Sequence, residues 1–195
     1  MQGRAPVREI KLWDPLLRGF HWMLALFVTA AWLLGQFGPA KMTLHFWCGY
    51  VVIGLLIFRL CWGFIGPAPA RFSHFLCGPV TIASYLRGIF MREPSYWPGH
   101  NPLGALSVIA MLAVLAAQVS SGLISDPDDY INVGPLASYV SSATRSKAVG
   151  WHEFGANLVL ILVLLHVAVI LFYRFWKGED LVGPMINGRK QVRDR

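Results

Sequence analysis

Charge is scarce in this chain. Only 14% of its 195 residues are charged, where soluble domains carry about 25%. Hydrophobic residues make up 55% and the mean hydropathy is +0.51, which excludes a disordered tail protein and an ordinary soluble globule. Cysteine is also scarce. Cys48, Cys61 and Cys77 form an odd set with no CxxC and no CxxCH, so a disulfide framework and covalent haem attachment are both excluded. There is no internal repeat and no low-complexity tract. The basic excess (net charge +7) forms no stripe interleaved with aromatics, and nucleic-acid binding is excluded with it. No small-residue cleavage site precedes the first apolar run, so the N-terminus is expected to be retained.

What the chain does have is long apolar runs. Crossing about 30 Å of hydrocarbon takes roughly 20 apolar residues in a helix. Four stretches qualify, at about 20–37, 46–65, 103–124 and 154–176. GPAK, GPAPAR and REPSYWPGHNP punctuate them with helix-ending Pro and Gly. The expectation is one domain over 1–195, an all-α integral membrane four-helix bundle. Of seventeen Lys and Arg, fourteen fall in the segments that share a side with the N-terminus, Arg4 and Arg195 among them. Only Lys41, Arg145 and Lys147 fall opposite. The positive-inside rule then places both termini in the cytoplasm, in a bacterial inner membrane. The basic excess is a topology signal with some attraction to anionic lipid. The longest outer loop, 125–150, carries Asp126, Asp128 and Asp129 and reads either as a solvated loop or as a docking patch.

The histidines carry the chemistry. His152 and His166 lie 14 residues apart in one span. At about 100° per residue their side chains fall within about 40° of one face, about 21 Å apart along the axis. One helix thus offers two imidazoles, one towards each membrane surface. With the N-terminus inside, His21 shares the inner level with His166, and His45 shares the outer level with His152. A b-type haem takes two axial nitrogens from facing helices, so the pattern points to two non-covalent b haems. A lone histidine at a membrane end is commonly an interfacial hydrogen-bonding residue. Four of them paired by level point the other way.

Further residues follow from the same step of 14. From His45 it leads to Arg59, and from His21 to Gly35. Arg59, and Arg18 one turn before His21, either pair with anionic haem propionates or, in the case of Arg59, snorkel to the interface. Gly35, Gly49 and Gly155 either let a flat macrocycle approach the backbone or serve helix packing. Gln118 and Asn157 read as interhelical hydrogen-bonding residues. His74, His100 and Asn101 are either interfacial residues or candidates for a quinone headgroup, which exchanges protons when it changes redox state.

Taken in order, WDPLLRGFHWMLAL, the HxxxGY of His45 to Tyr50, FRLCWGFIGP, ARFSHFLCGP, YWPGHNPLGA, WHEFGANLVLILVLLHVAVI and GEDLVGPMINGRK resemble the bacterial di-haem cytochrome b family. That family includes cytochrome b subunits of nickel–iron hydrogenases and a superoxide oxidase. The resemblance covers nearly the whole chain and is weakest over 125–150. It implies a four-helix bundle with two b haems, and the family's four ligands match His21, His45, His152 and His166. It also implies electron exchange between a quinone pool and a partner or small redox species on the outer side. Hydrogenase subunits often run longer than this chain, which favours another partner.

The expected function is transmembrane electron transfer linking a quinone to a periplasmic c-type cytochrome or oxidoreductase subunit, with homo-oligomerisation left open. An autonomous superoxide:quinone oxidoreductase is the first rival. It would want a cationic outer funnel, yet Lys41, Arg145 and Lys147 are outweighed by Asp126, Asp128, Asp129 and Glu153. A haem-free transporter or assembly factor is the second rival. It would want polar residues at mid-membrane, and the third span is almost bare.

Overall fold

Local residues set where the long helices begin. In chain order the elements are β1 (Val7–Lys11), α1 (Pro15–Phe37), α2 (Thr43–Ile65), α3 (Phe72–Phe75), α4 (Pro79–Arg87), α5 (Pro102–Ile124), α6 (Ser142–Phe175), α7 (Val182–Asn187) and β2 (Arg189–Arg193). The computed structural model describes residues 7–95, 97 and 99–193, so Arg4 and Arg195 of the basic tally lie outside the described residues. Helix α1 starts behind Asp14, whose Oδ1 accepts the Leu16 and Leu17 amides at 3.0 Å. Pro15 takes the first helical position, where a missing N–H costs nothing. Helix α5 repeats the device: Asn101 Oδ1 accepts the Gly104 amide at 2.8 Å and Pro102 follows. Helix α6 starts behind Ser141, whose Oγ accepts the Thr144 amide at 3.2 Å. Each such cap is worth about 1 kcal/mol.

Helices α1, α2, α5 and α6 are long and apolar enough to cross a membrane. Leu26, Phe37, Ile57, Phe64 and Ile65 stand on the surface, each more than half exposed. Leaving such side chains in water forgoes about 1.5–3 kcal/mol apiece. In hydrocarbon they carry no such penalty.

Two features depart from expectation. Helix α6 begins at Ser142, so the loop expected over 125–150 is helical from residue 142. The polar run Thr144, Arg145, Ser146, Lys147 hides this helix start from a hydropathy reading, because hydropathy finds the spanning part of a helix rather than its extent. The chain also contains a two-stranded antiparallel ribbon, β1 with β2, in the register Arg8↔Val192 and Ile10↔Lys190, which an all-α reading omits.

The chain divides into two compact units. The first holds residues 7–19, 59–109 and 164–193, with Leu12, Trp13, Leu17, Phe75 and Tyr173 in its core. There the C-terminal segment is tied down by polar contacts. Lys177 Nζ donates to the carbonyls of Ile89 and Met91 at 3.1 and 2.9 Å. Glu179 accepts the Ser95 amide and hydroxyl at 2.7 Å and pairs with buried Lys190 at 3.2 Å. The Gly188 carbonyl accepts the Leu12 and Trp13 amides. Gly188 itself sits at φ 81°, a left-handed conformation suited to glycine.

The second unit holds residues 20–58 and 110–163, with Val52, Leu115, Ala148 and Val159 buried in it. Asn132 fastens its long loop to the α1–α2 connection. The side-chain nitrogen donates to the Ala40 carbonyl at 2.8 Å and the side-chain oxygen accepts the Met42 amide at 2.9 Å.

Candidate functional site

Within the second unit, α2 and α6 bring His45 and His152 together. Their ring centres lie 5.9 Å apart and the rings are crossed at 81°. Both face a cavity of about 330 Å³ that is also lined by Val28, Gly35, Gly49, Ile53, Leu115 and Val159. That volume falls in the ordinary range for small-molecule sites, about 300–1,000 Å³, and most of the wall is apolar.

Each imidazole is anchored through Nδ1. His45 Nδ1 donates to the Ala31 carbonyl of α1 at 2.8 Å. His152 Nδ1 donates to the Gln118 carbonyl of α5 at 3.0 Å. A carbonyl oxygen only accepts, so each Nδ1 carries a hydrogen, and in the neutral ring the lone pair is then on Nε2. This is the tautomer a metal-binding histidine needs, with the outer N–H held by a backbone acceptor.

The donor set fits a b-type haem. His45 and His152, one from each of two helices with ring centres 5.9 Å apart, would hold the iron of such a haem through two imidazole nitrogens. Each neutral ring offers one nitrogen donor, and the lining around the pair is mostly apolar.

The other expected residues divide between the units. Gly35 and Gly49 line the cavity, and a β-carbon at Gly49 would meet open space. Gly155 faces α5 instead, where a β-carbon would collide with Gln118 Oε1. Gln118 does bond between helices, its Nε2 donating to the His152 carbonyl at 3.0 Å. Asn157 bonds within its own helix, to the Glu153 carbonyl. Gly122 went unremarked in the sequence, yet a β-carbon there would lie 2.8 Å from His152 Cε1. Only the helix pairing reveals it. His21 belongs to the second unit and His166 to the first.

In the first unit, Arg59 is 2% exposed. Its Nη2 donates to the Ala70 carbonyl at 3.1 Å, and the guanidinium lies 4.5 Å from the Phe72 ring centre. Its Nη1 is buried with no hydrogen-bond partner. Arg18 donates through Nη1 to the Ile186 carbonyl, while its Nε is likewise buried and unbonded. Two guanidinium groups with unspent buried donors suit anionic carboxylates. His100 packs between the rings of Trp13 and Phe75, 4.7 and 4.8 Å away. Asn101 caps α5 and donates to the Tyr173 hydroxyl at 3.0 Å. His74 is exposed on α3.

Comparison with known proteins identifies the family. The profile of the family described as Prokaryotic cytochrome b561 matches residues 12–188. The probable Ni/Fe-hydrogenase B-type cytochrome subunit of Rhizobium leguminosarum bv. viciae is 23% identical, over 96% of this chain and 91% of that protein. The probable Ni/Fe-hydrogenase 1 B-type cytochrome subunit of Escherichia coli (strain K12) is 22% identical, over 88% of this chain and 86% of that protein. No solved structure matches the chain. With nearly its whole length matched and four helices able to span a bilayer, the chain belongs to the prokaryotic cytochrome b561 family, as a multi-pass protein of the bacterial inner membrane that transfers electrons through b-type haem.

Proposed function

We propose that the protein is a di-haem cytochrome that carries single electrons across the membrane between a quinone and a protein partner on the periplasmic side, with both termini cytoplasmic. The crossed His45–His152 pair at its cavity carries the reading. These two residues hold the outer haem, with Gly49 giving the macrocycle room beside α2. The second haem is assigned to His21 and His166 on their sequence spacing alone, and propionate pairing is assigned to Arg59 and Arg18 on their buried, unspent donors. When bound, haem supplies reversible one-electron chemistry at iron. The chain's own part is to fix the tautomer of each ligand, exclude water, and neutralise the carboxylates.

The quinone is assigned to His74, exposed on α3, and His100, whose ring is held between Trp13 and Phe75 in the first unit. Asn101 is committed to capping α5 and to Tyr173, and so contributes by holding the entry to that helix. The partner is an oxidoreductase subunit or a soluble c-type cytochrome. The names of the relatives support the former, while the alignments run over 222 and 205 positions against a chain of 195 residues, so those hydrogenase subunits carry segments that this chain lacks. The superoxide reading gains nothing, because Arg145, one of its three candidate steering cations, is tied to Asp126 at 3.1 Å.

The test is electron passage through a sealed bilayer. Vesicles with ferricyanide inside and dithionite outside should bleach rapidly when they carry the haem-loaded protein. Bleaching no faster than in protein-free vesicles would refute transmembrane transfer.

A further inference from the structure

The two anchored imidazoles share a construction. His45 lies against Gly35 of α1 and donates to the carbonyl four residues earlier, at Ala31. His152 lies against Gly122 of α5 and donates to the carbonyl four residues earlier, at Gln118. In an α-helix the Cβ leans towards the N-terminus, so a side chain covers the turn before it. Removing that side chain uncovers the carbonyl one turn back, and both histidines use such an opening.

The two openings differ in tightness. A β-carbon at Gly122 would lie 2.8 Å from His152 Cε1 and 3.1 Å from Nδ1. One at Gly35 would lie 3.4 Å from the same two atoms of His45. The first cannot be accommodated unless the imidazole moves. The second is barely tighter than ordinary contact. Ser121 Oγ closes in on the same spot, bonding to the Gln118 carbonyl at 2.9 Å and lying 3.3 Å from His152 Nδ1.

We propose that Gly122 is a positioning residue for the redox centre: by admitting His152 to the Gln118 carbonyl it sets the basicity of the coordinating Nε2, and hence the reduction potential of the haem held there, with Gly35 doing the same more weakly for His45. This rests on the reading that His45 and His152 hold a haem. An imidazole that donates through Nδ1 is the more electron-rich ligand and favours ferric iron. Pushing the ring off its carbonyl removes that contribution, so the potential should rise.

The experiment is a potentiometric titration, with low-spin EPR, of the purified haem-loaded protein and three Gly→Ala variants. His152→Ala is measured first. Loss of one haem equivalent there secures the underlying reading, and its absence would remove that reading rather than test Gly122. Gly122→Ala should then raise the potential and shift the EPR signature of one haem, or lose that haem alone, while the other is unmoved. Gly35→Ala should shift the same haem in the same direction by less. Gly54→Ala, on α2 with open space around its added carbon, should match the wild type in both readouts. Gly122→Ala with a potential equal to that of Gly54→Ala overturns the proposal. If Gly122→Ala fails to accumulate, Gly35→Ala decides, and its coincidence with Gly54→Ala overturns the proposal equally.

Discussion

His45 and His152 come from different helices, α2 and α6, yet their ring centres stand 5.9 Å apart with the planes crossed at 81°. Each is turned to that position by a backbone carbonyl, of Ala31 for one and Gln118 for the other. On the proposed reading, holding these two crossed imidazoles at a mostly apolar cavity would leave little reorganisation for a bound metalloporphyrin to demand. Preorganisation of that kind favours tight, non-covalent retention.

Arg59 tests the carboxylate side of the account. Its guanidinium is buried with one nitrogen unbonded, and a cation near haem favours the reduced, less positive iron. Arg59→Gln should lower the midpoint potential of one haem by roughly 60 mV, which is about 1.4 kcal/mol for one electron. Redox titration followed at the α-band checks it. An unchanged potential would place Arg59 outside the propionate environment.

The Glu179–Lys190 pair tests how the C-terminal segment is held. Both side chains are about 7% exposed, and removing one partner strands the other charge. Glu179→Ala should destabilise the protein by about 3–5 kcal/mol, read as a fall in thermal unfolding temperature in detergent. Replacing Lys190 as well should recover only part of that loss, because the Ser95 amide and hydroxyl still lose their acceptor.

Asp129 gives a pH dependence. The amides of Asn132 and Ile131 donate to its carboxylate and hold it below the usual carboxylate range. A depressed carboxyl pKa contributes stability above its unfolded value and loses it as pH falls through the folded one. The turn should therefore persist at neutral pH and loosen only in acid, below the ordinary carboxylate titration. The Asn132 amide resonance should titrate there, and Asp129→Ala should show the loosened state already at pH 7.

The spanning helices were legible because hydrocarbon demands long apolar runs, and the starts of α1 and α5 because Asp14-Pro15 and Asn101-Pro102 are local signals. His45 and His152 were legible as a pair because a bundle leaves few ways to place end-of-helix histidines. Gly122 and the Gln118 carbonyl were not, since the contact joins α5 to α6 and no local pattern marks which glycine faces a histidine. The β1–β2 ribbon was equally hidden. Its five-residue strands carry weak alternation, and their pairing joins opposite ends of the chain.

The haem-to-polypeptide ratio tests the central claim most directly, measured on the purified wild type and on the His45→Ala and His152→Ala variants. The account predicts two haems per chain in the wild type and one in each variant, with the same haem lost from both. A wild type without haem, or either variant keeping both, would contradict it.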